Sequence, residues 1–580
     1  MGVLLQRWTI AGFVALVHLS LSGHGMAQSP PAEEPELPVD APEPVEQTIP
    51  TAPEFPVPQP APEPGLELEF PSPPEPPAGA VPADFSFQVE RVEVLGSTVL
   101  QAEIAALTRQ VENQEVTLND LFQLRANITE LYVANGYITS GAFLPNNQDF
   151  SDGVVEIQVV EGALETVEIT GLSRLRESYV RDRIRRGTRA PLNQDRLEDV
   201  LRVLQIDPLL ASVNAELIAG SGPGQNILLL ELEEAPAFFT TLSVDNYRPP
   251  SIGSTQGVVQ VVHNNLLGFG DRFDAAYSLG EGLNLYDVSY AFPVTPQGGT
   301  LSVGFNNSDS RIVLDVFEDL GIRSEAETLT FGFRQPIIRT SETEFVLGLG
   351  LDLRRSQSFI LENTPFSFSP GPELGRSKVT AIRLSQDWVQ RYPQRVLAAR
   401  SQFSLGIDAF NATVNEIGID GRFFSWLGQF QWVERVSPRV LLVSRFNAQL
   451  TPDALLPIER FSLGGISTVR GYEENQIVAD NGITGSVEAL ISLSNDPQEL
   501  QLAPFVDFGT AWNNRGSNPD PSTLASVGLG LRWLMAPSLQ FRADYGIPLI
   551  PAEDQGNSLQ SSGLYFSLTF EPTILFRMDE

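Results

Sequence analysis

Few side chains in this sequence could do covalent chemistry. It contains no cysteine, so thiol nucleophiles, thiolate metal sites and disulfides are excluded. Of the three histidines, His18 and His24 lie near the N-terminus, which leaves His263 alone in the rest of the chain. A histidine-rich metal site is therefore out of reach. Any Ser/His/Asp triad would rest on His263, which reads as a histidine on a strand surface. No G-x-x-x-x-G-K-[ST] run is present, and "GFGD" (268–271) reads as a turn rather than a phosphate cradle. What remains is charge. There are 72 acidic residues against 37 basic ones, a net charge of −35, and Lys378 is the only lysine. Nearly every cation is thus a guanidinium, whose planar fork favours fixed, bidentate pairs with carboxylates. One arginine stands out: Arg470 in "STVRGYEEN" (467–475), between a β-branched valine and a glycine. The acidic balance argues against nucleic-acid binding, and nothing here predicts an enzyme, a metal or a cofactor.

The elements that would position Arg470 begin after two segments of a different kind. Arg7, the apolar run "WTIAGFVALVHLSL" and the small residues of "GMA" before Gln28 read as an export signal over 1–27. Residues 28–83 are rich in proline and acid, as in "PPAEEPELPVDAPEPVEQTIP", with no Lys or Arg; they read as an extended, self-repelling linker. From residue 85 on, no run approaches the ~20 apolar residues of a membrane-spanning helix, so an exported chain that crosses a membrane must do so with strands.

An internal repeat follows. "VERVEVLGSTVL" (89–100) matches "LETVEITGLSRL" (164–175), aligning Val92 with Val167, Glu93 with Glu168, Val94 with Ile169, Gly96 with Gly171 and Leu100 with Leu175. In the first copy Thr117 and Asp120 have capping-box spacing, and Leu121, Leu124, Ile128 and Leu131 give the helix an apolar face. "NGYITSGAFLP" and "GVVEIQVVEG" then read as strands. The second copy runs "ESYVRDRIRR", "NQDRLEDVLRVLQ", "ASVNAELIAG" and "QNILLLELEE". Each copy is predicted to be β-α-α-β-β.

After Pro236 the period becomes two. In "LQFRADY" (539–545), Leu539, Phe541, Ala543 and Tyr545 oppose Gln540, Arg542 and Asp544; "SVGLGLRWL" (526–534) and "LYFSLTF" (564–570) alternate likewise. Connections alternate between short turns, such as "PVTPQGG", "RYPQ", "VSPR", "NDPQ" and "MAPS", and long acidic ones, such as "NNSDSRIVLDVFEDLGIRSEAE" and the stretch from about 451 to 483. Short turns on one rim and long loops on the other describe a sixteen-stranded antiparallel transmembrane β-barrel, which satisfies every backbone group in lipid.

The β-α-α-β-β copies resemble the POTRA domains of outer-membrane transporters. Export signal, two such modules and a sixteen-strand barrel together resemble the two-partner secretion (TpsB) transporters, the haemolysin secretion/activation family, over residues 85–571. The resemblance implies POTRA 1 at 84–162, POTRA 2 at 163–235 and the barrel at 236–580. Three stretches carry it. "VDNYRPPSIGSTQGVVQVVHNNLLGFGDRF" is similar to the family's first barrel hairpin, with Asp245, Asn246, Asn265, Gly268, Gly270 and Asp271 at its recurrent positions. "GGISTVRGYEEN" resembles the tip of the sixth long loop, with Val469, Arg470, Gly471 and Tyr472. "FVDFG" resembles its partner motif on an inward-facing strand, with Phe505, Asp507 and Gly509.

If that loop folds into the barrel, the guanidinium of Arg470 needs an acceptor of matching geometry, and the family pattern makes it Asp507. The resemblance further implies a monomeric pore in the outer membrane, in contact with its lipid. Its POTRA domains would face the periplasm and capture an unfolded, TpsA-like secreted exoprotein on a sheet edge, with "GAFLP" and "AELIAG" as candidate edges. Many family members begin with a helix that plugs the pore; the proline-rich region here departs from that pattern, which leaves plugging to the loop or to the acidic linker. A barrel-assembly insertase shares the modules, loop and lumenal acid, but two modules and the first-hairpin segment favour secretion. A passive porin would not need periplasmic modules.

Overall fold

The computed structural model describes residues 86–572 apart from 147, 417 and 554–557; the export signal read at 1–27 and the linker read at 28–83 lie outside the described residues. The second repeat copy has the expected order: strand Ala163–Thr170, helices Glu177–Gly187 and Gln194–Gln205, then strands Leu210–Ala219 and Gln225–Glu234. Gln225–Glu234 is the central strand, parallel to Ala163–Thr170 and antiparallel to Leu210–Ala219. Val180, Ile184, Leu197, Leu201 and Leu204 cover its inner face against Val167, Leu217, Leu228 and Leu230.

The first copy is more elaborate than the sequence reading. Its opening strand divides into Ser86–Val89 and Arg91–Leu95, because the Glu90 and Arg91 amides both turn onto the Gly153 carbonyl and the chain changes sheets there. Ser86–Val89 pairs instead with an extra strand, Gln114–Thr117, between helices Gln101–Thr108 and Leu118–Ala134. The capping box forms: Asp120 accepts from the Thr117 amide at 2.7 Å, and Thr117 Oγ1 accepts from the Asp120 amide. Leu121, Leu124 and Ile128 are buried, but the fourth buried position is Tyr132, with Leu131 only half-buried. "NGYITSGAFLP" yields only the strand Gly141–Phe143, since the Gly136 and Tyr137 amides fold back onto the last carbonyls of the helix.

Sixteen long strands close the barrel, beginning with Phe238–Asp245, which pairs with the last, Leu564–Phe570. The five Pro- or Gly-bearing turns named above all connect strands at one rim, and residues 246–255, 361–375 and 451–480 connect them at the other. The acidic run around 306–327 is shorter as a loop than it reads. Strands Thr300–Arg311 and Arg323–Arg339 extend into it, and their polar ends stay paired from Asn306↔Thr328 to Arg311↔Arg323. Alternation sorts the faces: Val506 and Phe508 are exposed to lipid while Phe505 and Asp507 are buried in the lumen.

The two modules share a device that the repeat alignment only half reveals. Gly96 and Gly171 both have positive φ, and a Cβ on either would run into a carbonyl of the neighbouring strand, Val159 O or Leu232 O. The loop that each glycine starts is tied to one carboxylate. Glu161 accepts from the Thr98 and Val99 amides and from Tyr132 Oη; Glu234 accepts from the Ser173, Arg174 and Leu175 amides at 2.6–2.8 Å. Burial pushes both carboxyls up, but those hydrogen bonds outweigh it and hold both below their ordinary value of 4.5. A depressed folded-state pKa stabilises at pH above 4.5 and is lost as pH falls through the lower folded value. Amide exchange at 98–99 and 173–175, corrected for intrinsic rates, should therefore accelerate below pH 4.5. Glu161→Gln or Glu234→Gln should weaken its own module by about 1–2 kcal/mol at neutral pH and flatten that acid response.

Candidate functional site

The connection 451–480 leaves strand Val440–Leu450, enters the barrel and returns to strand Asn481–Ser492. Its limbs pair as Phe461–Leu463 with Ile477–Ala479. Sequence explains the inward fold: Phe461, Leu463, Val469, Tyr472 and Ile477 would be costly in water and are buried together against Ala511 and Leu524 of the wall. Thr468 Oγ1 bonds the Gly464 amide and carbonyl, both at 2.9 Å, and closes the tip.

Arg470 projects from this tip and is 3% exposed. Its Nε and Nη2 donate to Asp507 Oδ2 and Oδ1 at 2.8 and 3.0 Å, and its backbone amide donates to the same carboxylate at 3.1 Å. Nη1 reaches Glu488 at 2.7 Å and Asp544 at 3.1 Å. The guanidinium lies 3.4 Å from the centre of the Phe505 ring, a cation–π contact. Ser486 Oγ donates to Asp507 at 2.6 Å and holds that carboxylate in place.

Glu488, Asp507 and Asp544 sit on three different strands, Asn481–Ser492, Leu500–Trp512 and Leu539–Pro548. Arg532 donates to Glu488 at 2.8 Å and Asp544 at 3.0 Å, and Arg542 donates to Asp544 at 2.7 Å. Arg445 Nη1 lies 3.8 Å from Glu488, so four guanidiniums face three carboxylates. Mutual compensation lets so many charges stay buried.

The other members of the two motifs shape this contact. Val469 is fully buried, and Gly509 leaves room for Val469 and Leu463, which a Cβ would strike. Gly471, at φ 94°, lays its peptide on Gly546, where a Cβ would come within 3.0 Å of the Gly546 backbone. Tyr472 Oη lies 2.8 and 2.9 Å from the Ala525 and Ile550 carbonyls, which share its one proton, and Tyr565 Oη donates to the Tyr472 carbonyl.

The six first-hairpin residues do not form one site. Strand Gln256–Asn264 separates them into two groups roughly 30 Å apart. At one rim Asp245 accepts from Gln256 and from the Tyr247 amide. Asn246 donates to the Leu564 carbonyl at 2.9 Å and accepts from the Phe566 amide at 2.7 Å, so its side chain extends the seam between first and last strands. At the other rim, Asp271 binds the Leu267 amide and Tyr290 Oη, and Asn265 accepts from the Gly270 amide. There the Gly268 carbonyl accepts from the Arg176 amide of the second module at 3.0 Å, Arg176 stacks on Phe269, and Gly270 lies against the Tyr179 ring. His263 lies on the barrel strand beside the Phe238 ring.

Sequence reasoning missed Glu488, Ser486 and the role of Asp544. Alternation puts Arg532, Arg542 and Asp544 on the polar face, yet only the strand register shows that they converge on Arg470.

With this geometry in hand, the comparisons are informative. The outer membrane transporter CdiB of Escherichia coli is 26% identical over 463 residues, 77% of this chain and 76% of that protein. The heme/hemopexin transporter protein HuxB of Haemophilus influenzae is 23% identical over 499 residues, 82% and 85% of the two chains. The solved structure of CdiB from Escherichia coli superposes with a TM-score of 0.65 at 22% identity, covering 86% of this chain and 93% of that one, which shows the fold. A model of the ShlB-type POTRA domain matches residues 87–162. A model of the haemolysin secretion/activation protein ShlB/FhaC/HecB matches residues 224–533, more than half of the sequence, and the chain belongs to that family.

Proposed function

We propose that the loop 451–480 is the gate of this transporter and that Arg470 is its latch. The chain is an outer-membrane pore of the two-partner secretion type that secretes an exoprotein, with its barrel in the outer membrane and its POTRA modules in the periplasm. One observation carries the gating reading: a single loop arginine is gripped by carboxylates from three wall strands across a lumen that a translocating chain has to use. The loop lines a cavity of about 720 Å³ in the lumen through Ser467, Thr468 and Glu474, so a threading polypeptide would meet the loop there.

The joint at the turn 265–271 supports a coupling role for the first-hairpin motif, since it ties the second module to the first barrel strands. A second tie lies nearby, where Asp199 accepts from the Ser341 amide at 3.1 Å. In this reading a cargo that moves the module pulls directly on the barrel rim. Cargo capture falls to the second module. Its edge strand Leu210–Ala219 is ten residues long, against three in Gly141–Phe143, and so offers the longer row of backbone groups for an added strand.

Arg470→Ala should lower secretion of the cognate exoprotein roughly tenfold or more, because the loop tip loses its fixed seat on Glu488, Asp507 and Asp544 and no longer closes and reopens the lumen in register with the cargo. The barrel should still insert. Cargo in the medium and heat-modifiable mobility of the membrane-bound barrel measure the two effects, and normal secretion by the variant rejects the latch. A broad fall in many outer-membrane barrels, with no specific secreted protein missing, would instead indicate assembly of other barrels. Because the chain has no cysteine, a single introduced one reports without background. Glu216→Cys on the capture edge, labelled with a benzophenone maleimide, should photo-cross-link to cargo arrested in transit, whereas Glu168→Cys on the opposite edge, labelled likewise, should not; the reverse pattern would move the capture site.

A further inference from the structure

The loop is held at a second place that none of the motifs above includes. Before it reaches its tip, the descending limb packs Leu455, Leu456 and Ile458 against Val379, Ala381 and Phe423. Glu459 follows and is 1% exposed. Its carboxylate accepts from Arg354 Nη1 at 3.0 Å and from Arg383 Nη2 at 2.9 and 3.1 Å. Arg383 is fixed in turn by Asp352 at 2.5 Å and Ser404 at 2.8 Å. Arg354 and Asp352 belong to strand Thr343–Ile360 and Arg383 to strand Arg376–Arg391. On one side, the strands Arg395–Gly406, Phe424–Ser437 and Val440–Leu450 stand between this pair and the first strand that holds Arg470, Asn481–Ser492. The two grips are on different sectors of the wall, and their polarity is opposite: the loop offers a cation to one and an anion to the other.

The lumenal cavity runs alongside this second grip, with Arg354 and Arg383 on the wall and Ser467 and Glu474 on the loop among its lining residues. Freeing Arg470 alone would leave the descending limb fastened beside that space. Removing the Glu459 charge takes from Arg354 and Arg383 the carboxylate that they share, which favours departure of the limb and access of water.

We propose that Glu459 is a second clasp of the loop, a positioning residue whose ion pairs with Arg354 and Arg383 hold the descending limb so that the pore opens fully only when both clasps release. This inference rests on the gating reading above, and the experiment separates the two. Purified full-length protein is reconstituted in planar bilayers of phosphatidylethanolamine and phosphatidylglycerol, and the frequency of large-conductance openings is compared among variants with unchanged heat-modifiable mobility. Glu459→Gln should raise that frequency roughly tenfold, Glu459→Asp should fall between it and the parent, and Glu459→Gln with Arg470→Ala should exceed either alone. Arg383→Gln cuts the same clasp from the wall side, and is the variant read if Glu459→Gln does not insert. Combined with Glu459→Gln it should add little, as expected for partners in one interaction. Parental opening frequencies in both Glu459→Gln and Arg383→Gln, with Arg470→Ala opening freely, would overturn the second clasp and leave the latch intact. Fully additive effects of the two would also overturn it. If Arg470→Ala opens no more often than the parent, the gating reading itself fails.

Discussion

A buried guanidinium cannot be left alone, and the interior of this barrel is arranged around that constraint. Arg470 brings a positive charge into a buried position, and Asp507, Glu488 and Asp544 together supply the compensating charge from three strands. Those carboxylates need partners too once the lumen is filled: Arg445, Arg532 and Arg542 serve Glu488 and Asp544, and Ser486 serves Asp507. Neither loop nor wall is comfortable without the other. The apolar residues of the tip add an undirected attraction, while the ion pairs fix where it settles.

The same dependence explains the uneven treatment of the barrel's two rims. At the periplasmic rim the turns are short, and one of them, 265–271, is shaped by its contact with Arg176 and Tyr179 of the second module. At the other rim the chain has length to spare and uses it in the loop that returns to the lumen. The closing seam pairs Ser567↔Asp245 to Phe570↔Leu242, and Asn246 continues it with its backbone amide on the Phe566 carbonyl and with side-chain hydrogen bonds. Gln560 then donates to the Arg248 carbonyl at 2.8 Å, so the final long loop fastens the seam from outside.

Much of this was legible in the sequence, for reasons that differ by element. The barrel was readable because lipid and lumen impose opposite chemistry on alternate residues, which leaves a period of two in every strand. The second module was readable because its helices and strands are regular; the first was misread where the chain changes sheets at Glu90, a feature set by the distant Gly153 carbonyl. The contact between Arg470 and Asp507 was suggested only by the resemblance of two motifs to a known family. Glu488 and Asp544 stayed hidden because their convergence depends on register between strands far apart in sequence. Glu459 was hidden for the same reason: its partners lie 105 and 76 residues earlier in the chain.

Charge balance also decides how such a gate can open. Withdrawing Arg470 into another dry environment would cost several kcal/mol, because it strands charge at both ends of the movement. Water removes most of that penalty, and the route for water is already present: Arg532 and Arg542 are 19% and 31% exposed, while Arg470 and Asp544 are buried. Hydration can therefore begin at the two wall arginines and reach the shared carboxylates before the loop moves. A polypeptide that enters the lumen brings water and backbone polar groups with it, and these can take over the hydrogen bonds that Arg470 gives up. Opening is then an exchange of partners rather than a rupture, which reconciles a tightly paired resting loop with a pore that must clear its lumen for each cargo.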